Sequence, residues 1–302
     1  MEVLEKIERL KKERNAVILA HNYELPEVQD CADFVGDSLE LSVKAASTDA
    51  KIIVFCGVHF MAETAKILSP EKTVLLPDKD AGCPMADMIT ADQLRSLKAE
   101  HPRAKAICYV NTTAAVKAEC DLCCTSANAV KMVGDVLKDE QEIIFVPDQY
   151  LAAFASEKTG RKMIVWNGFC PVHAVIRAED IKKARALHPN AAVMVHPECR
   201  PEVTALADAV LSTGGMGRYA RETQVKEIIV GTEIGIIHKL KKENPDKEFF
   251  ALSESFICAD MKKTTLEKVL FSLEHRVNVI HIPEETAARA RAGIEKMINA
   301  SR

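Results

Sequence analysis

Near its middle the chain reads Trp166-Asn167-Gly168-Phe169-Cys170-Pro171-Val172-His173. A cysteine lies 87 residues before Cys170 (170 − 83), and another lies 88 residues after it (258 − 170). Each of the three, Cys83, Cys170 and Cys258, follows a short apolar run of the kind found in buried parallel strands. The spacing therefore predicts that the three cysteines occupy corresponding loops, each leading from a strand to a helix.

The same spacing recurs in columns that contain no cysteine. The steps are again 88 and 87 residues, for example from His21 to Tyr109 (109 − 21) and on to His196 (196 − 109). The columns are His21, Tyr109 and His196; Tyr23, Asn111 and Glu198; and Ser38, Ser126 and Thr213. Because these columns keep one register with one another, and with the cysteines to within one residue, they indicate an internal triplication with a domain-sized period.

Composition excludes several classes of function. The chain has 302 residues, of which 48% are hydrophobic and 28% charged, and its net charge of −4 gives no electrostatic case for binding nucleic acid or an anionic membrane. Residues 1–12 predict an amphipathic helix rather than a signal peptide, and no apolar run is long enough to span a membrane, so we expect a cytoplasmic protein. In that reducing compartment the ten cysteines are expected to be thiols or metal ligands.

Strand and helix patterns alternate along the whole chain, which predicts an α/β fold with parallel sheets covered by helices on both faces. We predict three αβα sandwich domains: residues 1–84, completed by residues 260–302; residues 85–170; and residues 171–259. Less regular stretches give a predicted helix from Ala127 to Leu137, a helix from Thr223 to Ile228 and a strand from Val277 to Ile282.

Ligands bind at the carboxyl ends of parallel strands, and all four columns fall there. If the three units meet around a pseudo-threefold axis, these strand ends face one central cavity. Three cysteines from distant loops suit a [4Fe–4S] cluster with one iron lacking a protein ligand better than a zinc site, whose ligands usually come in close pairs. The alternative is that all three are buried packing residues.

A rival metal motif is Cys120-Asp121-Leu122-Cys123-Cys124. Its C-x-x-C spacing is typical of a zinc site, an iron–sulfur ligand pair or a redox dithiol. The chain has no second C-x-x-C to complete four ligands, so a redox-sensitive thiol pair is the most plausible functional interpretation. The remaining cysteines, Cys31, Cys56, Cys108 and Cys199, are predicted to be packing residues.

The polar columns suggest how small anions could be bound and protons moved. Ser38, Ser126 and Thr213 precede or open predicted helices, where a hydroxyl either caps the helix or binds a carboxylate or phosphate. Ser212 to Gly217 reads as a glycine-rich loop that would let backbone approach an anion. Groups suited to carbonyl and imine chemistry are His21, Tyr23, Tyr109, Asn111, His173, His196 and Glu198.

Taken together, these motifs resemble those of quinolinate synthases over essentially the whole chain. The resemblance is carried by His21-Asn22-Tyr23, Gly36-Asp37-Ser38, Gly82-Cys83-Pro84-Met85-Ala86, Tyr109-Val110-Asn111, Cys124-Thr125-Ser126, Gly168-Phe169-Cys170-Pro171-Val172-His173, His196-Pro197-Glu198, Ser212-Thr213-Gly214 and Cys258 with Met261-Lys262. It implies three pseudo-threefold-related αβα domains around a central cavity that holds one [4Fe–4S] cluster per chain.

The resemblance also implies an activity: condensation of iminoaspartate with dihydroxyacetone phosphate, with loss of phosphate and water, to give quinolinate for NAD biosynthesis. The cluster, held by Cys83, Cys170 and Cys258, would act as a Lewis acid in the dehydration. An enzyme that supplies iminoaspartate is a further possible partner. The implied substrate-binding residues are His21, Ser38, Tyr109, Asn111, Ser126, His196, Glu198 and Thr213. The implied catalytic residues are His21, Tyr23, His173, His196 and Glu198.

The chain departs from part of the family at the last cysteine. Where some members have C-x-x-C-x-x-C, this chain has Cys258-Ala259-Asp260-Met261, so disulfide regulation at that place does not carry over. Two alternatives stay open from the residues themselves: another [4Fe–4S]-dependent hydro-lyase, and a thiol- or metal-responsive binding module that uses Cys120, Cys123 and Cys124.

Overall fold

The computed structural model describes residues 2–301 and contains three four-stranded sheets in which all strands are parallel. Met1 and Arg302, which the predicted domains include, lie outside the described residues. Every sheet has the same strand order, in which the second strand along the chain lies at one edge and the first lies beside it. The predicted α/β fold of three parallel-sheet units is therefore confirmed.

The first unit is built on a strand whose apolar residues are almost all buried, as expected for a sheet covered on both faces. Its strands are β1 (Ala16–His21), β2 (Phe34–Gly36), β3 (Ile52–Cys56) and β4 (Thr73–Leu75). Its helices are α1 (Glu2–Arg14), α2 (Pro26–Cys31), α3 (Ser38–Ser47) and α4 (His59–Leu68).

The second unit repeats this order, and its first three helices are shorter than those of the first unit. Its strands are β5 (Lys105–Tyr109), β6 (Leu122–Cys124), β7 (Ile143–Val146) and β8 (Ile164–Val165). A 3-10 turn (Ala86–Met88) leads to its helices α5 (Ala91–Glu100), α6 (Ala114–Lys117), α7 (Ala129–Lys131) and α8 (Gln149–Thr159). The helix predicted from Ala127 to Leu137 is wrong as a regular α-helix, because α7 passes into a π-helical segment, Met132–Val136, that Leu137 N closes on Met132 O.

The third unit has strands β9 (Ala192–Val195), β10 (Ala209–Val210), β11 (Glu227–Gly231) and β12 (Glu248–Ala251). Its helices are α9 (Pro171–Ala174), α10 (Ala178–Leu187), α11 (Pro201–Thr204), α12 (Thr213–Glu222) and α13 (Ile236–Glu243), followed by a 3-10 turn (Met261–Lys263). The helix predicted from Thr223 to Ile228 is wrong: α12 ends at Glu222 and β11 begins at Glu227.

The glycine-rich stretch after Ser212 is also a helix rather than the predicted loop. The Ser212 hydroxyl accepts the backbone N–H of Gly215 and so caps α12. A good N-cap contributes about 1 kcal/mol, and the buried face of α12 adds packing, which together outweigh the low helix propensity of glycine.

The C-terminal segment closes the molecule with two helices, α14 (Leu266–His275) and α15 (Glu284–Ser301). The strand predicted from Val277 to Ile282 is reduced to one antiparallel bridge between Leu75 and Val279. Arg276 and Asn278 have positive φ angles of 52° and 56°, and this left-handed backbone prevents a regular strand.

The two C-terminal helices pack on different units. Helix α14 lies against α1 of the first unit, whereas α15 packs chiefly against β6 and α6 of the second unit and also touches α4. The domain boundaries at residues 84/85, 170/171 and 259/260 stay predictions. Within residues 2–301 no helix combines the length and the apolar character that crossing a membrane requires.

Candidate active site

A cavity of about 270 Å³ lies where the carboxyl ends of the strands of the three units come together. It is lined by every site residue predicted from the sequence: His21, Tyr23, Ser38, Cys83, Tyr109, Asn111, Ser126, Cys170, His173, His196, Glu198, Thr213 and Cys258. The C-x-x-C residues Cys120 and Cys123 do not line it. The structure therefore brings the four repeated columns together and leaves the rival metal motif outside.

The two histidines of the first column are held in the same tautomer. His21 Nδ1 accepts the N–H of Tyr23 at 3.2 Å, and His196 Nδ1 accepts the N–H of Glu198 at 3.3 Å. Burial lowers the pKa of each imidazole to about 3, so both rings are neutral near pH 7 and carry their proton on Nε2. They therefore offer N–H donors, and that of His196 lies 3.2 Å from Ser126 Oγ.

A chain of hydrogen-bonding groups crosses the cavity wall. The Tyr23 hydroxyl lies 2.5 Å from Thr232 Oγ1, which lies 2.7 Å from His173 Nε2. On the other side of the ring, His173 Nδ1 lies 2.6 Å from Glu198 Oε2, a close electrostatic contact that is off the axis of a regular hydrogen bond. A phenol, a hydroxyl, an imidazole and a carboxylate are thus connected in sequence, which is an arrangement able to move a proton.

Thr232 was not predicted from the sequence, although it is the central link of this chain. Strand register makes Gly231 equivalent to Cys56 of the first unit and to Val146 of the second unit. Thr232, the next residue, is therefore equivalent to Gly57 and Pro147. Since its repeat partners are a glycine and a proline, the triplication carries no polar signal at this column.

The directions of the pKa shifts distinguish the groups of the site that stay protonated from the group that is ionised. Burial raises the pKa of the Tyr23 and Tyr109 phenols well above the usual value, so both stay protonated. Burial alone would also raise the pKa of Glu198, but attraction to His196 and His173 outweighs it and lowers the pKa of this carboxyl. Glu198 is therefore the ionised group at one end of the chain, and Tyr23 is the protonated group at the other end.

The hydroxyls of Ser38, Ser126 and Thr213 do not cap helices, although that of Thr213 accepts an N–H of Asn22 at 2.9 Å. Helix α3 is capped by Asp37 and α12 by Ser212, so the hydroxyls of Ser38 and Thr213 occupy the first helical residue and are not the caps. Ser126 precedes the three-residue helix α7 by a turn and does not open it. Asn111 Oδ1 is buried and has no hydrogen-bond partner, which fits a group whose partner is a bound molecule.

No lysine or arginine of residues 2–301 lines the cavity. An anionic ligand would therefore meet neutral donors, namely hydroxyls, imidazole N–H groups and the N-terminal ends of α3 and α12.

The three cysteines share a local geometry that suits thiolate ligands. Burial raises the pKa of Cys83 to about 12, of Cys258 to about 11 and of Cys170 well above its usual value. In each case the backbone N–H of the residue three positions on, Ala86, His173 or Met261, points at the sulfur and favours its thiolate. Because a metal deprotonates its thiol ligands outright, these half-buried sulfurs with ready N–H donors fit an iron–sulfur group.

Two buried carboxylates fix the loops of two of these cysteines. Asp148 Oδ2 accepts the N–H of Cys170 at 3.2 Å, and Glu233 Oε1 accepts the N–H of Cys258 at 3.1 Å. Glu233 also pairs with Lys262 at 2.8 Å. The corresponding position in the first unit is Val58, which cannot do this.

The loop that carries Cys170 also depends on a glycine. Gly168 N donates to Pro147 O at 3.0 Å, and a Cβ atom at position 168 would lie only 2.5 Å from that oxygen. The backbone can approach this closely only because residue 168 has no side chain.

Comparison with known proteins agrees with this site. The family model described as "Quinolinate synthetase A protein" matches residues 5–299. A quinolinate synthase of Dehalococcoides mccartyi is 61% identical over 293 residues, which are 97% of this chain and 96% of the relative. Quinolinate synthases of Methanoregula boonei and Geobacter metallireducens are 54% and 51% identical, over 97% and 98% of this chain and 97% of each relative. The chain therefore belongs to the quinolinate synthase family.

Proposed function

We propose that this protein condenses iminoaspartate with dihydroxyacetone phosphate, with loss of phosphate and water, to form quinolinate for NAD biosynthesis. Full-length similarity to quinolinate synthases supports the reaction. The observation that carries it at the level of residues is the single cavity whose wall brings together neutral hydrogen-bond donors, the Tyr23, His173 and Glu198 side chains and three cysteines. Since iminoaspartate is unstable in water, the enzyme that forms it from aspartate is the partner we propose.

The group proposed for the cysteine end of the cavity is one [4Fe–4S] cluster per chain. Cys83, Cys170 and Cys258 would each hold one iron, and the fourth iron would have no protein ligand. When bound, such a cluster supplies a Lewis acid for a substrate hydroxyl that leaves as water. Asp148 and Glu233 would keep two of the three sulfurs in place through the backbone N–H groups that they accept.

The anionic groups of the substrates would be bound by dipoles. Ser38 and Thr213 stand at the first residues of two ten-residue helices, whose positive N-terminal ends and hydroxyls favour a carboxylate or phosphate. Asn111, whose Oδ1 has no protein partner, would accept from the imine or amine nitrogen of the substrate. Ser126 and the Nε2–H groups of His21 and His196 would donate to carboxylate oxygens.

Proton movement would follow the chain from Tyr23 to Glu198. Imine–enamine exchange and ring closure remove protons from carbon and nitrogen and deliver protons to departing oxygens. Tyr23, whose phenol stays protonated, would donate a proton to the substrate and regain one from His173 through the Thr232 hydroxyl. This step would need His173 to start as an imidazolium, whose positive charge Glu198 would stabilise, and it would leave His173 neutral.

The test begins with anaerobic protein and measures metal and product separately. We expect about four irons and a matching amount of sulfide per chain. With both substrates supplied, quinolinate should form. Cys170→Ser should lose most of the iron, whereas Cys199→Ser, which removes a buried thiol outside the cavity, should keep it.

Each alternative has its own result. A cluster without quinolinate formation would indicate another hydro-lyase. Zinc or no metal would indicate a thiol- or metal-responsive binding module. Full iron content in Cys170→Ser would overturn the ligand assignment.

A further inference from the structure

A second group of sulfurs lies outside the cavity, under the second sheet. Cys108 on β5 and Cys123 on β6 are direct partners in the parallel ladder, and their sulfurs are 3.5 Å apart. Cys120, whose thiol donates to Val116 O at 3.2 Å, is the other thiol neighbour of Cys108. Cys108 and Cys123 are completely buried, whereas Cys120 is partly exposed. Cys108 is therefore central, with one thiol neighbour toward the surface and one toward the interior.

A buried ammonium accompanies these sulfurs. Lys117 is completely buried, donates to Thr112 O and lies 5.4 Å from the centre of the Phe60 ring. No carboxylate oxygen of residues 2–301 lies within 4.0 Å of its nitrogen; the Glu63 carboxylate attracts it from farther away, and Cys108, Cys120 and Cys123 would also attract it as thiolates. An ammonium with no carboxylate in direct contact is costly to bury, and a nearby thiolate would offset part of that cost.

The arrangement favours sulfur–sulfur chemistry over metal binding. The three sulfurs do not all lie within 4.8 Å of one another, whereas the ligand atoms of Cys170, His173 and Glu198 do. A metal needs its ligands around one point. A central thiol in contact with one neighbour on each side instead has the geometry for forming a disulfide and passing it on by exchange.

We propose that Cys108, Cys120 and Cys123 form a thiol site that is oxidised by hydroperoxides. The Cys120 sulfur attacks the peroxide, the O–O bond breaks, and Cys120 becomes a sulfenic acid while water or an alcohol leaves. Cys108 then attacks the Cys120 sulfur, the S–S bond forms, and the hydroxyl leaves with the Cys108 proton as water. Two thiols lose two electrons in total, and the peroxide gains them. Cys123 can then attack Cys108 and release Cys120 as a thiol.

This site is separate from the cavity, but it shares two strands with residues that line the cavity. Strand β5 ends at Tyr109, one residue after Cys108, with Asn111 just beyond it, and β6 ends at Cys124, two residues before Ser126. A covalent link at Cys108 would therefore act on the two strands that carry substrate-binding groups of the second unit.

The experiment treats anaerobic, iron-loaded protein with one equivalent of hydrogen peroxide, blocks free thiols and digests it with trypsin without reduction. Cleavage after Lys105, Lys117 and Lys131 places Cys108 in peptide 106–117, and places Cys120, Cys123 and Cys124 in peptide 118–131. We expect these two peptides to be linked by a disulfide, and we expect the link to form before iron is lost.

Matched variants locate the bond. Cys108→Ser should abolish the link, and Cys120→Ser should slow its formation at least about tenfold, because the other two sulfurs are buried. Cys124→Ser should leave it unchanged, since that buried thiol shares the peptide but is not a hydrogen-bonding neighbour of Cys108. Lys117→Met should slow it by about tenfold, because the thiolate would lose its counter-ion.

Three results would overturn the proposal. These are the absence of the link in the unaltered protein, a link that requires Cys124, and a link that appears only after iron has left. Melting curves of the reduced Cys108→Ser and Lys117→Met proteins check that each variant is folded. If either variant is unfolded, the proposal is still tested by whether the disulfide forms before iron is lost in the unaltered protein and in Cys124→Ser.

Discussion

Replacing Gly168 by alanine should displace the loop that carries Cys170. The added Cβ would lie 2.5 Å from Pro147 O, whereas ordinary contacts begin near 3.4 Å. The two groups must therefore separate by about 0.9 Å (3.4 − 2.5). That movement strains two backbone hydrogen bonds, Gly168 N to Pro147 O and Gln149 N to Gly168 O, which are 3.0 and 2.9 Å long.

The magnitude follows from these contacts. Inserting a methyl group into packed structure costs about 1–3 kcal/mol, and each weakened backbone hydrogen bond adds up to about 1 kcal/mol. We expect a loss of about 3 kcal/mol in the free energy of unfolding, which for a chain of this length corresponds to about 5 °C in Tm. Metal sites accept ligand shifts of only about 0.2 Å, so a movement several times larger at Cys170 should also release iron.

Gly82→Ala is the matched control, because Gly82 also precedes a predicted ligand, Cys83, but a Cβ there would meet nothing within 4 Å. The assay measures iron content and Tm of the two variants after identical anaerobic purification. Gly168→Ala should lose most of its iron, and Gly82→Ala should keep it. Equal iron content and equal Tm in both variants would refute the reasoning.

Further predictions concern protons and buried charge. Thr232→Val should lower kcat at least about 10²-fold with iron content unchanged, because the hydroxyl link between Tyr23 and His173 is lost. Thr232→Ser, which keeps the hydroxyl, should have a kcat near normal. Equal kcat values in the two variants would show that this hydroxyl carries no proton. The free energy of unfolding should fall as the pH drops from about 6.5 to 4.5, because the unfolded chain protonates His21 and the folded chain, in which its pKa is about 3, does not. Urea titrations should find that His21→Gln removes about 2 kcal/mol of this fall at pH 5, and an unchanged pH slope would contradict the assignment. Glu233→Gln leaves Lys262 without its partner and should lower the free energy of unfolding by about 3 kcal/mol. The double variant with Lys262→Met should recover part of this loss. No recovery would mean that the two side chains are not coupled.

The repeat made the general architecture predictable. Apolar runs before each cysteine predicted buried parallel strands, and the columns that begin at His21, Tyr23 and Ser38 predicted which side chains would meet, because equivalent positions in repeated units face one centre. Each column combines a local signal with its position at a strand end. Together these signals placed the cavity before any tertiary contact was known.

The features that could not be predicted from the sequence depend on contacts between segments that are distant along the chain, or on a single hydrogen bond. Thr232 belongs to the proton-transfer chain only because Tyr23 and His173 reach it from other segments. The helix that begins at Thr213 forms despite its glycines, because one serine hydroxyl caps it and the rest of the protein packs on it. The neighbours of Cys108 were hidden because residues paired across a sheet leave no trace in sequence spacing.

The absence of lysine and arginine from the cavity lining within residues 2–301 has a consequence for inhibitor chemistry. A carboxylate entering the cavity gives up its water for neutral dipoles rather than for an opposite charge, so it regains less of its desolvation energy than it would beside a cation. Uncharged isosteres of the two carboxylates, which have less water to lose, should therefore keep a larger share of the affinity here than at a cationic dicarboxylate site. They would also cross cell membranes more readily than the dianions they replace.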